Sequence, residues 1–122
     1  MTQSSEDYLE AIYRLIQEGR PAQVRDIAAL LGVTMPSVVK AIRELGKIEL
    51  VTHKPYQDIA LTEKGRRLAK LVLSRHELLR KFLMQLGVSR ENADRDACTM
   101  EHFLSAETLD RIRLYTEKQK RK

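Results

Sequence analysis

The sequence predicts a mainly α-helical protein, with an N-terminal domain over residues 1–70 and an all-helical domain over residues 71–122. Apolar residues recur at helical spacing through most of the chain, and several of these runs begin at a serine or threonine that can cap a helix. The exception is residues 50–61, where two β-prone stretches flank a turn-forming segment and predict a short hairpin. With 122 residues and 43% apolar content, the chain is long enough to form a compact core.

Three helices are predicted before the hairpin. Ser4 or Ser5 is expected to cap the first helix, where acidic residues follow in the first turn. The second helix covers Val24–Leu31 and stops at Gly32, and Thr34 caps the third. The expected core positions of the third helix are Val38, Ile42 and Leu45.

This order of elements, with two helices joined by a tight turn and followed by a β-hairpin, is typical of a winged helix-turn-helix. Ala28 is small enough for close helix packing, Gly32 makes the turn, and Val33 is expected to fill the core beneath it. In this fold the second helix of the motif faces base edges in the major groove, while basic residues hold phosphates. The predicted DNA contacts are Ser37 and Lys40 to base edges, Thr34 and Arg43 to phosphates, and Lys54 and Tyr56 on the hairpin to the adjacent backbone, together with Pro36 and Lys47.

The distribution of charge supports a polyanionic partner. The chain has a net charge of +5, but residues 34–70 alone carry +4 and residues 118–122 another +4, so the remainder is acidic. A basic segment that coincides with a helix-turn-helix favours double-stranded DNA. Two alternatives remain open: the basic residues form ordinary solvated faces, or the winged helix binds protein.

Three more helices are predicted after the hairpin. Thr62 caps a long helix that ends at Gly87, and Ser89 begins the next. Ser105 caps the last helix, and the basic tail from Lys118 is expected to be disordered.

The most distinctive chemistry lies at Cys98, Glu101 and His102. Their spacing of i, i+3 and i+4 would place a thiolate, a carboxylate and an imidazole on one face of a helix. All three groups bind metals, and their softness decreases from thiolate to imidazole to carboxylate. The alternative is that the lone cysteine is a small buried hydrophobic residue. Further residues of ligand type, each with an ordinary structural role as the alternative, are Asp7, Glu10 and His76.

Four segments in this order resemble the DtxR/MntR family of metal-dependent repressors. They are Ser5–Tyr13, Leu61–Gly65, Arg75–Leu79 and Cys98–Ser105, and the resemblance covers nearly the whole chain. It implies a winged helix-turn-helix domain followed by a helical domain for dimerisation and metal binding. It also implies a homodimer that binds a palindromic operator.

The resemblance further implies which residues bind metal, and the resulting set is a hybrid. Asp7 is the residue of the manganese-type members, whereas Cys98 is that of the iron-type members. The ancillary site of the iron-type members needs Glu and His where this chain has Arg80 and Asp94, so that site is expected to be absent. The chain also ends where iron-type members continue into an SH3-like domain, which implies the two-domain form. The implied metal ligands are Asp7, Glu10, His76, Cys98, Glu101 and His102.

The softness of these ligands predicts the order of the metals. A thiolate among carboxylates and imidazoles favours Fe(II) over Mn(II), which prefers oxygen ligands. We therefore expect Fe(II) first and Mn(II) second, with Zn(II) or Co(II) able to bind in vitro. The expected function is metal-dependent repression, and the resemblance implies that the regulated genes encode metal uptake. The alternative is a winged-helix regulator gated by a non-metal effector.

Other classes of protein are disfavoured by the sequence. There is no apolar run of membrane-spanning length and no signal peptide, and a single cysteine suits a reducing cytoplasm. An enzyme is not expected, because the chain has neither a phosphate-cradling glycine loop nor a second carboxylate–histidine base arrangement.

Overall fold

The computed structural model describes residues 3–120, with side chains described for residues 4–119. The chain divides into two compact units, with the boundary between Leu71 and Val72. In the described part, the helices and strands are α1 Gln3–Gln17, α2 Val24–Leu31, α3 Met35–Lys47, β1 Val51–Thr52, β2 Ala60–Leu61, α4 Glu63–Gln85, α5 Arg90–Met100 and α6 Ala106–Lys120. The predicted mainly α fold class is confirmed.

The first unit is a three-helix arrangement with a hairpin on one side. Helices α1, α2 and α3 contact one another, β1 contacts α3, and β2 contacts α1. The strands are antiparallel, with Val51 opposite Leu61 and Thr52 opposite Ala60. The shared core includes Leu9, Ile12, Leu15, Ile27, Val38, Ile42, Leu45, Leu50 and Ile59.

The turn between α2 and α3 is built largely as the sequence predicts. Gly32 adopts a left-handed conformation with φ of 66°, which glycine reaches without steric cost. The Thr34 hydroxyl accepts a hydrogen bond from the backbone N–H of Ser37 at 3.3 Å and so caps α3. The prediction that Val33 fills the core is wrong, since its side chain is 38% exposed. Its N–H instead donates to the Ala28 carbonyl at 3.1 Å, closing the end of α2 and leaving the side chain outside.

The start of α4 is fastened to the turn that follows α3. The Thr62 hydroxyl donates to the Glu49 carbonyl at 2.6 Å and accepts from the Gly65 N–H at 3.0 Å, as the predicted cap. A Cβ at Gly65 would overlap the Leu50 carbonyl oxygen and lie 2.9 Å from its carbonyl carbon. The close approach of α4 to this turn therefore requires glycine.

The second unit consists of the C-terminal part of α4 with α5 and α6. Its caps are those predicted, because Ser89 accepts from the Asn92 N–H at 3.3 Å and Ser105 from the Thr108 N–H at 3.1 Å. None of the helices within residues 3–120 combines the length and apolar content needed to cross a membrane. The apolar core of this unit contains Leu79, Ala97 and Leu109, with Leu78, Met100, Leu104 and Ile112 packed around it.

Two expectations about helix ends are wrong. Ser4 and Ser5 do not cap α1, because the helix already includes Gln3 and both serines lie inside its first turn. The basic tail is not disordered from Lys118, since α6 continues to Lys120. Thr116, four residues before the end of α6, is buried. The last two residues, 121 and 122, lie outside the described part.

Candidate metal centre and DNA-binding surface

The carboxylate of Glu101 lies between two imidazoles in the second unit. Glu101 is only 1% exposed, which is rare for a glutamate. Oε2 lies 3.4 Å from His76 Nδ1, and Oε1 lies 3.4 Å from His102 Nε2. The structure thus brings three of the six predicted ligands together in one buried cluster.

Two different elements supply this cluster. His76 lies within α4, and Glu101 is the C-cap of α5, with its N–H donating to the Ala97 carbonyl at 3.0 Å. His102 follows in the turn, where its N–H lies 3.5 Å from the Thr99 carbonyl. The expected single helical face is therefore only partly present, because α5 ends at Met100 and two of the three residues lie just beyond it.

A second carboxylate holds the other side of the His76 ring. Asp94 Oδ1 lies 3.1 Å from His76 Nε2, and the same oxygen accepts a hydrogen bond from Arg80 at 3.3 Å. Burial raises the pKa of Asp94, but the hydrogen bonds from His76 and Arg80 outweigh it and hold the pKa below its ordinary value. Asp94 is thus ionised and can only accept, so His76 Nε2 carries the proton that it donates. The sequence interpretation assigned these two residues no role beyond the missing ancillary site.

The donor chemistry of the cluster fits a divalent cation. With Nε2 next to Asp94, Nδ1 of His76 faces the Glu101 carboxylate, and imidazole nitrogen and carboxylate oxygen are both atom types that bind divalent transition metals. Two donor atoms that each lie about 2.1 Å from one ion are roughly 3.0 to 3.4 Å apart. The observed spacing of 3.4 Å for each pair meets that requirement.

The other three predicted ligands are distributed over both units. Cys98 lies in the last turn of α5 and is exposed. Asp7 is half-buried and Glu10 buried, both on α1 of the first unit. Glu10 also accepts a hydrogen bond from Arg14 at 2.8 Å, the ordinary pairing of residues one turn apart on a helix. Metal ligation by all six residues stays a prediction.

All the side chains predicted to contact DNA are exposed on the first unit. Those of α3 lie opposite the buried face of that helix, and the two wing residues lie in the turn between β1 and β2. Tyr56 occupies the tip of this turn with φ of 62° and is fully exposed. The Thr34 hydroxyl, which caps α3, also lies 2.8 Å from the hydroxyl of Ser37. The eight exposed residues are Thr34, Pro36, Ser37, Lys40, Arg43, Lys47, Lys54 and Tyr56.

Family models match both halves of the chain. Residues 1–59 match the N-terminal DNA binding domain of the iron dependent repressors. Residues 62–122 match the metal binding and dimerisation domain of the same family.

Individual relatives agree with these matches. The chain is 46% identical over 111 residues to the HTH-type transcriptional regulator MntR of Geobacillus kaustophilus strain HTA426, covering 91% of this chain and 79% of the relative. It is 40% identical to an uncharacterized HTH-type transcriptional regulator of Methanocaldococcus jannaschii, MJ0568, covering 100% of this chain and 99% of the relative.

Solved structures share the same fold. The manganese regulator SloR matches with a TM-score of 0.84 and 29% identity over 96% of this chain and 55% of its own. A manganese-dependent transcriptional repressor in complex with manganese matches with a TM-score of 0.84 and 30% identity, over 93% of this chain and 52% of its own. The chain thus spans about half the length of these solved structures. The chain therefore belongs to the iron dependent repressors, the DtxR/MntR family of metal-dependent transcriptional repressors.

Proposed function

We propose that this protein represses transcription when a divalent cation is bound and releases its operator when the cation is removed. The observation that carries the proposal is the buried Glu101 carboxylate between His76 and His102, each 3.4 Å away. The bound cation would supply the positive charge that the carboxylates of the site require. The exposed basic face of α3 supports binding to double-stranded DNA.

We propose that the metal ligands come from both units of the chain. The family resemblance supports this assignment for every position, and the burial of Glu10 is unusual for a carboxylate with a purely solvating role. The carboxylates repel one another in the absence of a cation. The proposed ligands are Asp7, Glu10, His76, Cys98, Glu101 and His102.

Ligation would act on DNA binding through α1. This helix packs against α2 and α3, so a constraint on Asp7 and Glu10 is transmitted to the helix that reads DNA. We propose that ligation favours the homodimer geometry in which two recognition helices enter successive major grooves of a palindromic operator. A coupling free energy of about 1–3 kcal/mol is ordinary for a switch of this kind.

For the ion, we propose Fe(II) first and Mn(II) second. The thiolate of Cys98 supports Fe(II), since a soft ligand disfavours Mn(II) relative to later transition metals. The names of the relatives support Mn(II), since SloR is called a manganese regulator and a second solved structure is a manganese-dependent repressor. Activation of DNA binding by Mn(II) but not by Fe(II), measured anaerobically, would reverse the order.

The remaining features of the proposal follow from the family. We propose a cytoplasmic homodimer without enzymatic activity that regulates genes for metal uptake. Transcript levels in cells grown with and without added metal would test the last point. Uptake genes that respond equally with and without this repressor would contradict it.

Two substitutions test the ligand assignment. Glu10→Ala and His102→Ala should leave the helical content unchanged but abolish the increase in operator binding caused by metal, because each removes one donor atom. Glu18→Ala is the matched control, since Glu18 is an exposed residue just beyond the end of α1. Fluorescence anisotropy with labelled operator, with and without metal, measures the effect. Metal dependence that survives in both variants would contradict the assignment.

A further inference from the structure

We infer that a groove between α3 and β1 binds one sugar-phosphate unit of the DNA backbone, with Arg43 and His53 as the two groups that bind its phosphate. This inference rests on the proposed function, because it concerns how the first unit holds its operator. It adds His53 and Gly46 to the residues that act in DNA binding.

The groove is a cavity of about 320 Å³ on the first unit. Its apolar part is formed by Ile42 and Val51, which are buried, and by Val39, which is 43% exposed. Its polar part is formed by Arg43 of α3 and by His53, which follows β1, and both of these residues are exposed. A deoxyribose suits the apolar part of such a cavity, and a phosphate suits the polar part.

The position of the groove matches the path of a DNA strand. Arg43 shares the exposed face of α3 with Lys40 and Lys47, because the three residues are about one turn apart. With α3 in the major groove and the hairpin on the adjacent backbone, as predicted, the strand between these two contacts crosses the space between α3 and β1. The backbone is therefore the part of the duplex that meets the cavity.

The charge of the groove also favours a phosphate. None of the residues that line it is acidic, and the side chains of Arg43 and His53 form no salt bridge or hydrogen bond with any residue in the described part of the chain. Val51 and His53 are two residues apart in an extended segment and so face the same side, that of α3. A guanidinium and an imidazole N–H both donate to phosphate oxygens.

Gly46 keeps this groove open. A Cβ at this position would have the Val51 carbonyl oxygen as its nearest neighbour, at 3.9 Å, and Gly46 does not have a positive φ. Neither packing nor backbone conformation therefore requires glycine here, and glycine within a helix is destabilising relative to alanine. A larger side chain would extend into the groove beside Val51, which accounts for the glycine.

Removing each of the two phosphate-binding groups gives the first test. The full chain with Mn(II) would be titrated against a labelled fragment from its own promoter region and against a random-sequence duplex of equal length. Arg43→Gln should weaken binding to both duplexes about 10-fold and lower the slope of log affinity against log salt concentration by about 1. His53→Ala should weaken binding to both about 2- to 10-fold. Unchanged affinity in His53→Ala, or a loss confined to the promoter fragment, overturns the inference.

Two controls accompany these variants. Arg95→Gln removes an exposed charge from α5 in the other unit, and Thr52→Ala changes an exposed residue that alternates with Val51 and His53 along the segment. Both controls should bind the two duplexes as the wild type does. A loss in Thr52→Ala equal to that in His53→Ala would overturn the role of His53.

Filling the groove tests the site without removing a charge. Gly46→Leu should weaken binding to both duplexes as much as Arg43→Gln does, while its free energy of unfolding should be no lower than that of the wild type, because leucine favours a helix more than glycine does. Gly46→Ala should have a smaller effect on binding. A stable Gly46→Leu variant that binds both duplexes as tightly as the wild type would overturn the inference.

A modified backbone tests whether Arg43 and His53 share one phosphate. Promoter fragments would carry a neutral methylphosphonate at a single phosphate, moved along the strand from one fragment to the next. Where the wild type loses affinity through this contact, Arg43→Gln and His53→Ala should lose none further, because groups that share one partner are not additive. If the two variants are insensitive at two different phosphates, the shared site is overturned.

These measurements separate this inference from the proposed function. Promoter binding that is equal with Mn(II) and with chelator would contradict the proposed function alone, since the effects of the variants on random-sequence DNA would still decide the inference. Promoter binding that responds to metal but is unchanged in Arg43→Gln, His53→Ala and Gly46→Leu would overturn the inference alone.

Discussion

Gly65 shows how a single residue determines where an element can lie. It belongs to the segment Leu61–Gly65, and the first turn of α4 passes so close to Leu50 that a side chain at this position would overlap the backbone carbonyl. Thr62 fixes the same junction by bonding both Glu49 and Gly65. The close approach of α4 to Leu50 therefore explains the glycine at position 65, and capping of α4 explains the threonine at position 62.

Gly65→Ala should destabilise the protein by about 1–3 kcal/mol, because the added methyl group can be accommodated only by shifting backbone. Gly46→Ala is the matched control, since its Cβ would meet its nearest neighbour at an ordinary 3.9 Å. That control should gain up to about 1 kcal/mol from improved helix propensity in α3. Urea denaturation of both variants measures the free energy of unfolding. A Gly65→Ala variant as stable as the wild type would contradict the packing argument.

The metal cluster shows which residues a sequence can and cannot reveal. Glu101 and His102 could be proposed because they are chemically distinctive and close in sequence to Cys98. Asp94 was missed as a partner of His76, since 18 residues separate the two and only tertiary packing brings them to 3.1 Å. In the sequence, Asp94 lies one helical turn before Cys98, but this spacing alone does not predict a contact with His76.

At the scale of elements, the third helix was the most predictable. Its cap at Thr34 and its core at Val38, Ile42 and Leu45 are local properties, set by side-chain chemistry and by the 3.6-residue period. Helix ends without a strong local signal were predicted less well. Ser4 and Ser5 have the chemistry of caps, but a capping residue has no effect on where a helix starts if the helix extends past it.

Lys40→Ala should weaken operator binding by about 1–3 kcal/mol both with and without metal, because Lys40 is exposed on the recognition helix and is a predicted base contact. Arg95→Ala is the control, since it removes an exposed positive charge from α5 in the other unit. Anisotropy titrations with operator and with random DNA separate specific from general electrostatic binding. If Lys40→Ala and the wild type bind the operator with equal affinity, the assignment of Lys40 on α3 to the DNA interface is contradicted.

At the scale of the whole molecule, the chain carries two functions in sequence order. Residues 1–59 match a DNA-binding domain model and residues 62–122 a metal-binding and dimerisation model. The uneven charge of the chain agrees with this division, because residues 34–70 hold much of the net positive charge. The domain boundary between residues 70 and 71 stays a prediction. The sequence predicts the physiological metal less directly, because ligand softness and the ion available in the cell both contribute.

The central claim is that a divalent cation controls DNA binding, and one titration tests it most directly. Chelator-stripped protein would be titrated anaerobically with Fe(II) and, separately, Mn(II), in the presence of a labelled palindromic fragment from its own promoter region. We expect operator binding to strengthen by about 5- to 150-fold with one or both ions and to return to its metal-free level when chelator is added. Binding that is the same with metal and with chelator would contradict metal gating and favour a winged-helix regulator controlled by another effector.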